Sequence, residues 1–162
     1  MGAVAGRRTV MQVASEMFIG STCWSDAVGL AAALATIREL RRRDIPVCIG
    51  AFGSAFQELF NALAKEHGVS MRATGLPQLT GIGYTDLDAV LRRPLKDYYI
   101  QELTRRGIFA SLSVNPCAAH GDMELDEIER ALGEIFPLLR AVLQAGDWDS
   151  RLMSRSVDAF RR

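Results

Sequence analysis

The sequence predicts an α+β fold, in which a small sheet carries helices packed on one face. Apolar residues at helical spacing and short alternating runs give the element order helix, helix, strands, helix, strand, helix. The 162 residues suffice for one domain with a real core, or for a smaller domain plus a piece of another. Hydrophobic residues at 49% and charged residues at 23% are typical of a soluble globular protein.

The first third of the chain is predicted to be mostly helical. A short strand is expected at residues 3–5 and a short helix within residues 8–17. A long helix follows over residues 26–43, because Ala and Leu recur at helical spacing after a turn rich in hydroxyl residues. Pro46 marks a break and the first turn of an amphipathic helix that reaches about His67, with Gly68 as its C-terminal cap.

The remaining elements alternate between strands and helices. A strand is predicted over residues 69–74, and a loop with a second short strand over residues 75–84. Pro94 is expected at the first position of a helix that runs to Arg106 and ends at Gly107. A third strand is expected over residues 108–114. Asp122 is expected to cap a long helix that Gly146 ends, and residues 148–162 predict a weaker helix or tail.

Charge and cysteine content exclude several classes of function. The 19 basic and 19 acidic residues cancel, so neither nucleic acid nor an anionic membrane is expected as a partner. The three cysteines are odd in number and lack metal-ligand spacing, which favours a reduced, cytoplasmic setting without a bound metal. No apolar run approaches the roughly 18 residues of a membrane span, and the N-terminus lacks a secretory pattern.

The turn before the long helix is the candidate ligand site. Ser21 and Thr22 carry hydroxyls, and the N–H groups of a helix start lack intrahelical partners. Hydroxyls and exposed N–H groups together suit a phosphate. The alternative is that these residues only cap the helix.

Four segments in order resemble one enzyme family. Residues 21–35 contain Ser-Thr-Cys followed by Ala-Ala-Ala-Leu, and residues 1–11 contain a Gly-Arg-Arg turn. Residues 95–111 contain Gln-Glu-Leu and Arg-Gly, and residues 113–132 contain Ala-His and Asp-Glu-Ile. The chain resembles the C-terminal portion of class III pyridoxal-phosphate (PLP) aminotransferases, and most closely their glutamate-1-semialdehyde 2,1-aminomutase-like branch.

The resemblance implies a fold, a domain division and a cofactor. Residues 1–25 would be a remnant of the large cofactor-binding domain, residues 26–45 a connecting helix, and residues 46–162 the α+β small domain of a fold-type I PLP-dependent transferase. Thr22, with Ser21 beside it, would bind the cofactor phosphate across a homodimer interface. The full enzyme would transfer an amino group of an amino acid or amino ketone.

The resemblance also implies that this chain alone is inactive. The family's Schiff-base lysine falls shortly before the position that matches Met1, and neither Lys65 nor Lys96 matches its motif. No catalytic residue is therefore assigned. Asp26 stands where the family has Asn or Glu, and His120 matches a family histidine whose role looks structural.

Two further functions stay open beside the enzyme fragment. The chain could be a stand-alone, non-catalytic interaction or oligomerisation domain derived from the family, or a separately encoded N-terminal half could complete it in trans. Apolar surface left exposed over residues 28–37 and 3–5 would indicate that the chain needs a partner. The sequence does not separate transaminase from aminomutase.

Overall fold

The structure is a computed structural model that describes residues 4–23 and 26–153. The chain divides into two compact units, residues 1–45 and residues 46–162. The division falls at the start of the predicted small domain, but the assignment of these units to domains of a larger enzyme stays a prediction.

The first unit contains helices and irregular chain. Helix α1 (Arg8–Met11) continues into a 3₁₀ helix (Gln12–Glu16), and helix α2 (Ala27–Arg42) follows. The short helix predicted after Arg7 and the long helix are thus confirmed. The strand predicted at residues 3–5 is wrong for Val4 and Ala5, which lie in irregular chain; Ala3 is outside the described residues. Val4 is 86% exposed, so no packing compensates for the entropy of ordering it as a strand.

The second unit is built on a three-stranded antiparallel sheet. Its strands are β1 (Met71–Leu76), β2 (Leu79–Tyr84) and β3 (Ser113–Val114), in the order β1-β2-β3. Met71 pairs with Tyr84 and Leu76 with Leu79, so Pro77 and Gln78 form a two-residue hairpin connection. The helices are α3 (Ile45–Glu66), α4 (Ala89–Arg105), α5 (Asp122–Ala145) and α6 (Trp148–Arg151). The predicted α+β class is confirmed.

One face of the sheet is buried and forms part of the core. Along β1 and β2 the buried side chains alternate with exposed ones, and the buried set is Met71, Ala73, Thr80 and Ile82. The helices contribute large residues to the same core, among them Phe60 and Phe136. Their rings meet edge to face with centroids 5.2 Å apart. Burial of each such side chain contributes about 1.5–3 kcal/mol.

Helix α3 lies directly against the hairpin. The Asn61 side chain donates to the Ala73 carbonyl (3.0 Å) and accepts from the Ala73 N–H (2.9 Å). The Gln57 amide donates to the Gly75 carbonyl (3.2 Å) and to the Thr80 hydroxyl (2.7 Å). Gly53 allows the close approach, because a Cβ there would lie 1.8 Å from the Pro77 carbonyl oxygen.

Helix α3 is long and apolar enough to cross a membrane by length and composition alone. The sequence analysis, which counted uninterrupted apolar residues, did not predict such a helix. Its buried residues include Phe56, Phe60 and Ala64 of the core, and its polar side chains bond to the sheet. These contacts hold one face of the helix against the sheet of the second unit.

Four predicted boundaries are wrong. Strand β1 covers Met71–Leu76 instead of residues 69–74, and the other three differ for a local reason. Pro94 lies inside α4, which begins earlier because Asp88 accepts from the Val90 N–H at 3.2 Å and caps it. The third strand is shorter than predicted, because the Ser111 hydroxyl bonds to the N–H and C=O of Ser113 and competes with the ladder. Asp122 is the first residue of α5 and Gly121 is its N-cap.

The other helix ends agree with the sequence. Gly68, Gly107 and Gly146 have positive φ values of 63°, 80° and 69° just after α3, α4 and α5. This left-handed conformation is what glycine adopts most readily at a helix C-terminus. The weaker helix or tail predicted over residues 148–162 begins with α6, a single turn in which Trp148 is buried. Residues 154–162 lie outside the described residues.

Candidate functional site

The predicted phosphate-binding residues lie on an exposed turn. The side chains of Ser21 and Thr22 are both exposed, and residues 22–23 form a turn. The Asp26 N–H donates to the Cys23 carbonyl at 3.3 Å. Within the described chain, neither hydroxyl makes a hydrogen bond. Both are therefore available to a ligand.

Asp26 changes the argument for an anion site at the start of α2. Its carboxylate accepts from the N–H groups of Val28 (3.1 Å) and Gly29 (3.2 Å) and so caps the helix. These are the groups that would otherwise attract a phosphate. The expectation that the helix start itself supplies free N–H donors is wrong for these two groups. What remains is the pair of hydroxyls on the turn.

These residues fit one contact of a phosphate site but do not make a complete site. A dianion is held by several convergent donors. Here two exposed hydroxyls lie a few residues before a carboxylate that already takes up the helix-start donors. The turn can therefore donate to a phosphate whose other ligands come from outside these residues.

Neither lysine is fully buried. Lys65 is exposed in the last turn of α3, and the Lys96 ammonium lies 3.5 Å from the Asp97 carboxylate. A lysine that forms a Schiff base is normally activated by desolvation or by a neighbouring cation. Neither residue has such surroundings.

His120 holds the loop before α5. Its Nδ1 accepts from the Cys117 N–H at 3.0 Å, and its ring stacks on Phe52 with centroids 5.2 Å apart. An Nδ1 that accepts leaves the ring proton on Nε2. These contacts support the structural role predicted for His120.

The Gln-Glu-Leu and Arg-Gly motif contains a charged cluster that the sequence analysis did not assign. The Glu102 carboxylate is buried and pairs with Arg105 (2.7 Å) and Arg106 (3.1 Å). Arg106 also reaches Glu134 on α5 at 2.8 Å. The sequence does contain a signal for this cluster: the two arginines follow Glu102 by three and four residues, a spacing that places them beside it on a helix.

The pKa of Glu102 reflects opposing effects. Burial works to raise the pKa, but hydrogen bonds from Gln101 and Arg106 and the charge of Arg105 outweigh it, so that the pKa lies below its usual value. Glu102 is therefore ionised at neutral pH and links α4 to α5 through Arg106. The motif has a packing role in this structure.

No candidate metal centre occurs in residues 4–23 and 26–153, where no group of three or more His, Cys, Asp or Glu side chains is suitably placed. The three cysteines, Cys23, Cys48 and Cys117, are all exposed and form no disulfide.

Comparison with known proteins gives the family context. No family model matches the chain. The chain is 29% identical over 146 residues to the 3-aminobutyryl-CoA aminotransferase of Cloacimonas acidaminovorans, and 30% identical over 140 residues to the 2'-deamino-2'-hydroxyneamine transaminase of Streptomyces kanamyceticus. Both relatives are aminotransferases. The matches cover 86% and 83% of this chain, and the chain spans about a third of each relative's length (35%).

A solved structure shows the same fold. The FumI protein of Sphingopyxis sp. MTA144, in its PLP internal aldimine form, superimposes with a TM-score of 0.72 at 22% identity. The match covers 93% of this chain and 34% of that one. The predicted likeness to aminotransferases is confirmed, whereas the likeness to the aminomutase branch stays a prediction.

Proposed function

We propose that this chain is the C-terminal part of a PLP-dependent aminotransferase and lacks that activity by itself. The observation that carries the proposal is a match to aminotransferases that spans most of this chain but only a third of theirs. The order of the four motifs favours the C-terminal third. Lys65 is exposed and the half-buried Lys96 is paired with Asp97, which supports inactivity, because amino transfer through PLP requires an activated lysine.

Ser21 and Thr22 are proposed to contact the cofactor phosphate. Bound PLP acts as an electron sink for the carbanion at the amino-bearing carbon. The Thr22 hydroxyl would donate to a phosphate oxygen, and the cap formed by Asp26 would hold the turn in place by fixing the start of α2. In a homodimer this contact would reach the partner's cofactor.

The substrate class stays broad. The full enzyme would act on an amino acid or another amine, and the relatives' names specify two different amines. These names favour transfer between two molecules over the internal transfer of an aminomutase. The exposed cysteines support a reducing, cytoplasmic setting.

The first test is the genomic sequence directly upstream of Met1, translated in all three frames. We expect a segment, in frame or shifted, with the family's lysine motif close to Met1. If only unrelated sequence is found there, and no separate gene encodes the missing half, the fragment proposal is contradicted.

A second test addresses Thr22 in the longer chain or the reconstituted pair. Thr22→Ala should weaken PLP binding roughly ten- to hundredfold, because a hydrogen bond to a charged group contributes about 1.5–3 kcal/mol. Thr36→Ala is the matched control, because the Thr36 hydroxyl bonds only to the Ala32 carbonyl within α2. An equal effect of both changes would contradict the assigned contact.

A stand-alone interaction domain is the second candidate. Leu30, Leu34 and Ile37 follow one another at helical spacing on α2 and are each about half exposed (53%, 49% and 48%). Exposed apolar residues aligned in this way favour an association surface. Light scattering of the 162-residue chain should give a dimer that Leu34→Asp dissociates. A monomer at high concentration would contradict this candidate.

A further inference from the structure

The second unit contains a cavity that the proposed function does not use. Its volume is about 310 Å³, and it lies between α3, α4, α5 and the segment 108–115. Apolar side chains line most of it: Phe52 and Phe56 from α3, Leu103 from α4, Ile108, and Ile128 and Leu132 from α5. An apolar cavity of about 150 Å³ is large enough to bind benzene. The volume of the cavity in this chain is about twice as large.

Four polar side chains at the cavity have hydrogen-bonding groups that no bond of the described chain uses: Tyr99, Ser113, Asn115 and His120. Tyr99 is only 2% exposed, and no hydrogen bond to its hydroxyl is found in the described part of the chain. Burial raises the pKa of Tyr99, so the hydroxyl remains a donor. His120 uses Nδ1 for the Cys117 N–H and therefore presents Nε2–H, and Asn115 contributes an amide. A ligand acceptor that reaches the Tyr99 hydroxyl or the His120 ring N–H would give it a hydrogen-bond partner.

The charges of the lining restrict the ligand. Among the described residues that line the cavity there is no Lys, Arg, Asp or Glu, so none of them compensates for moving an ionic group out of water. The Tyr99 hydroxyl and the His120 ring N–H can both donate, so a ligand oxygen that accepts can pair with either of them. Phe109 is 98% exposed at the edge of the cavity, and an apolar molecule bound there would also cover its ring.

We propose that this cavity binds an uncharged, largely apolar molecule with one oxygen acceptor, of the chemical class of an aryl ketone. The acceptor pairs with the Tyr99 hydroxyl, and the ring lies among the apolar side chains of α3, α4 and α5. Neither Ser21 nor Thr22 lines this cavity, and binding to it does not depend on PLP.

The test uses acetophenone as the probe and benzoate as its charged counterpart. Both are titrated into the 162-residue chain and followed by amide chemical shifts. Acetophenone should give saturable shifts at Leu103, Ile108 and Ile128, and benzoate should bind at least tenfold more weakly. No saturable shift up to the solubility limit, as when Phe109 itself closes the cavity, would overturn the proposal.

Two pairs of variants locate the site. Tyr99→Phe should raise the dissociation constant of acetophenone three- to tenfold, roughly the effect of one hydrogen bond. Tyr98→Phe should leave it unchanged, because Tyr98 is buried beside it in sequence but does not line the cavity. Ala110→Leu should abolish binding by filling the space, whereas Ala118→Leu, on an exposed residue outside the lining, should not.

Circular dichroism of each variant establishes that it folds. Where Ala110→Leu fails to fold, the pair Tyr99→Phe and Tyr98→Phe still decides. Equal affinities for acetophenone and benzoate, or equal effects of the two tyrosine changes, would overturn the proposal.

Discussion

Substitution of Gly53 by alanine tests how closely α3 packs on the β1–β2 hairpin. The added Cβ would lie 1.8 Å from the Pro77 carbonyl oxygen and 2.5 Å from its carbonyl carbon. Ordinary contacts begin near 3.4 Å, so helix and hairpin would have to separate by more than an ångström. The hairpin resists this movement because Asn61 and Gln57 bind its backbone at Ala73 and Gly75.

The expected cost follows from opposing contributions. Overpacking typically costs 1–3 kcal/mol, and a clash with backbone belongs at or above the upper end of that range. Alanine regains about 1 kcal/mol of helix propensity over glycine. We therefore expect Gly53→Ala to lower the free energy of unfolding by about 2–3 kcal/mol, measured by urea denaturation followed by circular dichroism.

Two other glycines provide matched controls. Gly133 lies in α5, and a Cβ added there would have no atom within 4 Å, so Gly133→Ala should stabilise by about 0.5–1 kcal/mol. At Gly50 the nearest atom is the Gln78 amide nitrogen at 2.6 Å, the end of a flexible side chain, so that Gly50→Ala should change stability by less than about 1 kcal/mol. Wild-type stability in Gly53→Ala would refute the described packing.

Three further changes test the charge cluster and the helix ends. Glu102→Gln should lower stability by about 2–3 kcal/mol at pH 7. Because the folded-state pKa of Glu102 is lowered, its contribution is complete above the unfolded value near 4.5 and is lost as the pH falls through the folded value, so wild type and variant should converge in acid. Urea titrations from pH 7 to pH 3 check both points, and a constant difference would contradict them. Asp26→Ala removes the cap of α2 and should reduce helical ellipticity and cost about 1 kcal/mol, whereas Asp26→Asn should retain most of both. Gly146→Ala places a side chain at φ 69° and should cost about 1 kcal/mol by thermal denaturation, and an unchanged midpoint would argue against the left-handed cap.

The long helices could be predicted because their signals are local. Apolar spacing located α2 and α3, and the glycines marked the ends of α3, α4 and α5. Pro94 was misleading because proline is typical of a first turn, whereas the cap on Asp88 started α4 earlier. The short β3 depends on which bonds Ser111 makes after folding. The alternation of apolar and polar residues in the sequence does not predict which of these hydrogen bonds will form.

The candidate site could also be predicted only in part. The resemblance located Thr22, but only the folded structure reveals that Asp26 takes up the nearby N–H donors. The cavity brings together residues far apart in sequence, such as Phe52, Tyr99 and Ile128. No spacing rule predicts it, because it forms where three helices fail to fill the space between them.

The bonds from Asn61 to Ala73 determine where the sheet can grow. Strand β1 is at one margin of the sheet, and the outward-facing N–H and C=O of Ala73 are occupied by a side-chain amide that imitates a neighbouring strand. Gln57 likewise occupies the carbonyl of Gly75. Exposed strand margins invite intermolecular pairing, and this margin is closed by a helix of the same chain. Any further strand, from this chain or another, would have to join beside β3.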